Sequence, residues 1–145
     1  MDGLYSLGYL VGRASVALSK SLNARLVSCG IDLSHSQYIV LRYLYFKGAL
    51  SQLDIAKLLS KDAAAIKRTI DLLEKKELVT RTPIRKLKNS VCITDKGKNL
   101  MPRVIEIAND VINEALNGIE TENRELLRTM LDKIYDNLEN KHSQI

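Results

Sequence analysis

Apolar residues recur at Leu4, Leu7, Val11, Ala14, Leu18, Leu22 and Leu26, in steps of three and four that match the helical period. The pattern predicts one long helix ending near Cys29, where Gly30 suits a left-handed cap and "GIDLS" turns the chain. At about 1.5 Å per residue such a helix runs roughly 35 Å. That is more apolar stripe than one small domain can cover.

Two capping signatures follow. In "LSHSQY", Ser34 and Gln37 read as a capping box with Leu33 and Tyr38 at staple positions; in "LSQLDI", Ser51 and Asp54 repeat it with Leu50 and Ile55. A second helix therefore runs to about Phe46, "KGA" turns, and a short third helix ends near Leu59. Asp62, or Ser60, caps a fourth. On that fourth helix Ala63, Ile66, Ile70 and Leu73 share one side, the expected buried face, while Lys61, Ala64, Arg68, Asp71 and Lys75 share the opposite one.

Two short helices joined by a tight turn make a helix-turn-helix. After them "LVTRT" and "VCIT" alternate like paired strands around a loop "PIRKLKNS", a β-hairpin wing. A further helix opens at "TDKGKNL" with Thr94 as its cap, is distorted near Pro102 and stops at Gly118. Thr121 caps a last helix, on which Leu127, Met130, Leu131, Ile134 and Leu138 keep the three-four spacing. The fold class is mainly α: a winged helix-turn-helix over 31–97, flanked by dimerisation helices at 1–30 and 98–145.

Charge sharpens this division. From Ser34 to Gly97 thirteen Lys and Arg face six Asp and Glu, although the whole chain is only +5. The positive excess is central, which points to a nucleic-acid-facing middle between more neutral ends. Cys29 and Cys92 stand apart, without CxxC or metal spacing, and read as small hydrophobes in a reducing compartment. No run reaches the roughly 18 apolar residues of a membrane span, and "MDGLYSLGYLVGR" lacks the basic flank of a signal peptide. A cytoplasmic protein without metal or cofactor is expected. Catalysis finds no support either, because His35 and His142 have no evident acid, base or ligand partner and no phosphate-binding glycine loop is present.

The fourth helix carries the candidate chemistry. Ala64 and Ala65 give clearance or lie against thymine methyl groups, with Ala63 counted among the DNA-binding residues beside them, Arg68 suits guanine O6 and N7, and Lys67 suits phosphate. The plainer alternative, a good helix former beside wet cations, is weakened by the capped helix before it and the strands after it. Arg81, Arg85, Lys86 and Lys88 carry no acidic residue among them in "RTPIRKLK". On a hairpin tip their natural complement is the phosphates along a minor groove.

The segments "LGYLVGRASVALSKSLNARLVSCGIDLSHSQYIVLRYL", "LSQLDIAKLLSKDAAAIKRTIDLLEKKELVTR" and "VCITDKGKNL" together resemble the MarR family of bacterial winged-helix transcription regulators. The resemblance implies a homodimer with interleaved first and last helices, a palindromic double-stranded DNA operator and relief of repression by a small molecule. It puts Arg68 on the family's recognition-helix arginine and Asp62 on the acidic residue that starts that helix. Two departures stand out. Arg85 and Leu87 occupy the places of the family's Asp-x-Arg wing pair, in a wing about two residues shorter. Glu77 replaces a frequent Gly, which hints at a turn that is not left-handed.

Apolar stripes at both ends are best explained as a shared interface between two copies, with Leu4, Leu7, Val11, Leu127, Leu131, Ile134 and Leu138 as its expected members. An effector pocket for a small anionic aromatic is assigned to Tyr9, Arg13 and Tyr38. Peroxide-sensing relatives carry a reactive cysteine near the start of the first helix, whereas Cys29 lies at its far end. A protein-docking winged helix that does not touch DNA is the competing reading.

Overall fold

The computed structural model describes residues 6–85 and 88–142. Its elements run α1 (Leu7–Ser28), α2 (His35–Lys47), β1 (Leu50–Ser51), α3 (Gln52–Leu58), α4 (Ala63–Lys75), β2 (Val79–Arg85), β3 (Lys88–Ile93), α5 (Asp95–Ala115) and α6 (Thr121–His142). They divide into two units, Met1–Val111 and Ile112–Ile145.

In the first unit the helix ends follow local chemistry. Ser6 caps α1, and its exit is a left-handed cap: Gly30 takes φ +72° and the Ile31 amide returns to the Leu26 carbonyl at 2.9 Å. At α2 the capping box is complete, since the Ser34 hydroxyl accepts from the Gln37 amide and the Gln37 carboxamide accepts from the Ser34 amide. At α3 only the serine's half of the expected box forms, Ser51 accepting from the Asp54 amide at 3.0 Å. Asp62 caps α4 by accepting from the Ala65 amide at 2.7 Å.

The core of this unit is continuous. Leu22 and Leu26 of α1, Leu41 and Leu44 of α2, Ile55 of α3, and Ile66, Ile70 and Leu73 of α4 are buried with Val79, Val91, Met101 and Val104. Burial of side chains of this size stabilises by about 1.5–3 kcal/mol each before chain entropy is counted. Ala63 does not join them: it is exposed, which corrects the expectation of a buried residue there. Ile66, Ile70 and Leu73 suffice to seat the helix.

The strands depart further from expectation. The sheet is antiparallel with order β1-β3-β2, and the two-residue β1 pairs Leu50 with Val91 and Ser51 with Ser90. No strand pattern announces so short an element. The wing strands are longer than predicted, with Arg85 paired to Lys88 across an irregularity between Pro83 and Arg85. Residues expected in a long loop therefore belong to the ladder.

Glu77 overturns the expectation of a turn that is not left-handed. Its φ is +62°, so a residue with a Cβ sits where glycine is the easy choice. The turn is a left-handed helix cap, closed by the Leu78 amide on the Leu73 carbonyl at 3.0 Å, and it is also held from outside: the Thr94 hydroxyl donates to the Glu77 carbonyl at 2.7 Å, and the Thr94 amide donates to the Leu78 carbonyl at 3.0 Å. Thr94 also caps α5, accepting from the Gly97 amide at 3.1 Å. That helix continues through Pro102.

In the second unit Gly118 takes φ +81°, and Arg124 donates to the carbonyl of Leu116, just past the end of the preceding helix, and to that of Ile119 in the turn. Thr121 is the first helical residue instead of the cap, because the Arg124 amide already bonds the Glu120 carbonyl.

Candidate nucleic-acid interface

The α4 helix exposes its first half. Ile66, Ile70 and Leu73 turn inward, and the outer side of the same turns carries Ala63, Ala64, Lys67 and Arg68, with Ala65 half-buried. Among the described residues Arg68 forms no hydrogen bond or ion pair. A planar cation without an internal partner, beside side chains no larger than methyl, is what close approach to base edges requires. The Lys67 ammonium instead rests on Asp71 Oδ2 at 3.0 Å, an exposed pair one helical turn apart.

Arg81 is not the wing-tip cation that the sequence predicts. It lies within β2, and its side chain is only 16% exposed. Nε donates to Gln52 Oε1 at 2.8 Å, Nη1 to Glu74 Oε1 at 3.1 Å, and Nη2 to Asp71 Oδ1 at 2.5 Å and the Lys67 carbonyl at 3.4 Å. The guanidinium is thus spent on α3 and α4. Hydrogen bonds from Lys67 and Arg81 hold the Asp71 carboxyl below its ordinary value, so it stays ionised between two cations.

A second fastening was also missed by sequence reasoning. The Lys76 ammonium donates to the Asp32 carbonyl at 2.9 Å and to Gln37 Oε1 at 2.8 Å, joining the end of α4 to the α1–α2 turn. The Asp71 and Glu74 spacing and the cations at 76 and 81 were visible in the sequence. Which carboxylate or amide would meet which cation was not.

The remaining site residues divide clearly. Arg85 and Lys88 have paired backbones, but their side chains, together with Lys86 and Leu87, lie outside the described part of the structure. Of the expected interface residues, Leu7 and Val11 are exposed on α1 and Leu127, Leu131, Ile134 and Leu138 on α6, while Leu4 lies outside the described residues. Tyr9 and Arg13 are neighbours on α1, with the guanidinium 5.7 Å from the ring centroid. Tyr38 belongs elsewhere: it is buried in the core, and that burial pushes its phenol upward against the opposing influence of Arg42. No hydrogen bond among the described residues joins Tyr38 to Tyr9 or Arg13. No described helix is long and apolar enough to cross a membrane.

Residues 33–86 match the sequence model of the MarR family, the stretch from the α1–α2 turn to the end of β2. An HTH-type transcriptional regulator of Bacillus subtilis, YdgJ, is 28% identical over 127 residues, covering 85% of this chain and 76% of its own. Bordetella bronchiseptica BpsR, whose DNA binding is regulated by 6-hydroxynicotinic acid, superposes with a TM-score of 0.82 at 23% identity, over 94% of this chain and 98% of its own. A mutant E. coli MarR complexed with operator DNA superposes at 0.81 and 23% identity, over 92% and 99%. Likeness at this level of identity establishes the shared winged-helix fold. MarR-family members are transcription regulators, not enzymes.

Proposed function

We propose that this chain is a member of the MarR family, whose model its residues 33–86 match, and that it is a cytoplasmic, sequence-specific DNA-binding regulator that holds a palindromic operator as a homodimer. The observation that carries this reading is the exposed Arg68, without a hydrogen-bond or ion-pair partner among the described residues, beside Ala63 and Ala64 on a helix whose opposite face is locked in the core. In a twofold dimer the two α4 helices would enter successive major grooves, about 34–36 Å apart. Arg68 would read guanine, Lys67 would exchange Asp71 for a phosphate, and Arg85, Lys86 and Lys88 of the wing would lie along the backbone.

The exposed apolar residues of α1 and of α6 support dimerisation, since a second copy would remove them from water. Binding as a repressor released by a small aromatic anion is the regulatory form proposed. It is supported by the Tyr9–Arg13 pair, which offers a ring face and a cation to such a ligand. The chemistry agrees with the ligand of BpsR.

The test is selection of sites from a random duplex pool, followed by titration at several salt concentrations. An inverted repeat, a steep salt dependence and a dimer by light scattering are expected. Arg68→Ala should cost about 1–3 kcal/mol at one position per half-site. Recovery of no preferred sequence would return the chain to the protein-docking reading.

A further inference from the structure

Arg81 is where the three parts of the winged helix meet. It belongs to the wing strand β2, it bonds Gln52 at the start of α3, and it bonds Asp71, Glu74 and the Lys67 carbonyl of α4. Asp71 and Glu74 stand three residues apart, and Lys67 stands four before Asp71, so a single helical face presents both carboxylates and the carbonyl to one group. Only a guanidinium supplies enough donors in a fixed plane to meet them all; an ammonium would meet them as a point charge.

The burial of these groups is graded. The side chain of Arg81 is 16% exposed, that of Asp71 44% and that of Lys67 66%. On Asp71, Oδ1 accepts from Arg81 of the strand and Oδ2 from the more exposed Lys67. Lys67 can leave for a phosphate without disturbing the bond to Arg81. Loss of Arg81 would remove these polar bonds from α4 to the wing and from the wing to α3, leaving the apolar face of α4 alone to fix its angle.

We propose that Arg81 is a positioning residue that sets the tilt of α4 against the wing, and so governs which bases Arg68 reads without itself touching DNA. The inference rests on the DNA-binding reading above. Hydrogen bonds to base edges weaken steeply with distance and angle, whereas phosphate contacts serve all sequences alike. A loosened α4 should consequently lose discrimination before it loses general affinity.

The experiment measures binding of the full chain to its selected operator and to a scrambled duplex, by fluorescence anisotropy at several salt concentrations. Arg81→Gln is expected to lower the operator-to-scrambled affinity ratio by on the order of tenfold, with the salt slope on the scrambled duplex unchanged, and Arg81→Lys to fall between. Glu74→Gln, which removes one clamp bond but keeps Arg81, should lower the same ratio more weakly. It decides the matter if Arg81→Gln fails to fold. Equal weakening on both duplexes with a slope smaller by about one would make Arg81 a phosphate contact and overturn the proposal. So would an unchanged ratio in variants that only melt earlier. A wild-type protein with no operator preference would overturn the DNA-binding reading itself, a distinct outcome.

Discussion

Gly97 presses its backbone against the carbonyl of Leu78: a Cβ at this position would lie 2.6 Å from that oxygen and 2.6 Å from Ile93 Cγ1. The contact seats the first turn of α5 on the ends of β2 and β3. Alanine is the better helix former by about 1 kcal/mol, yet it would force backbone apart. Gly97→Ala should destabilise by roughly 1–2 kcal/mol net, read from urea denaturation. A variant as stable as the parent would show that α5 does not rest there.

Glu77 makes the opposite case. Its left-handed backbone costs about 1–2 kcal/mol relative to glycine, and its ion pair to Lys96 at 3.7 Å is exposed on both sides and contributes little. Glycine would keep the carbonyl that Thr94 binds, while adding some freedom to the unfolded chain. Glu77→Gly should raise stability by about 0.5–1 kcal/mol, visible as a higher urea midpoint with the same slope. A lower midpoint would refute the strain.

Lys76 fastens the end of α4 to the buried Gln37, whose Oε1 also accepts from the Ser34 amide at 3.2 Å. Its pair with Asp32 adds little, since that carboxylate is exposed. Lys76→Met keeps the stem and removes the donor, at about 1 kcal/mol. A double-mutant cycle with Gln37→Ala should return a coupling of about 0.5–1.5 kcal/mol; strict additivity would mean that the two groups do not interact.

His35 introduces a pH dependence of known sign. Burial, and secondarily the nearby Lys61 charge, hold its imidazole below the ordinary value of 6.5. The unfolded chain then binds the proton more readily than the folded one, so this contribution is whole above pH 6.5 and declines as the pH falls through that value toward the folded one. His35→Gln should flatten this part of the stability profile between about pH 7.5 and 5.5, measured by thermal melting. The same slope in both proteins would exclude His35 as its source.

These features differ in how plainly the amino-acid order announces them. Ser34, Ser51 and Asp62 act on amides three residues away, and Ile66, Ile70 and Leu73 share a side because helical geometry places them there. Such relations need no other part of the chain. By the same local logic Arg81 reads as a wing cation, because its neighbours in sequence are basic. Its neighbours in space, Gln52 and Asp71, arrive from separate helices.

The extent of the wing belongs to that second kind. Pairing of Arg85 with Lys88 reflects the whole ladder, and the two-residue β1 exists only because β3 offers it an edge. At Glu77 the left-handed φ belongs to a cap closed within one turn, the Leu78 amide returning to the Leu73 carbonyl at 3.0 Å, to which Thr94 from the far side of the hairpin adds a bond. Order along the chain determined where the helices start, which faces they bury and which helix carries the exposed arginine, since these depend on periodicity and on bonds within one turn. Tertiary structure alone decided which cations are spent internally and which stay available, because an ion pair is chosen by distance in space between groups that the chain keeps far apart.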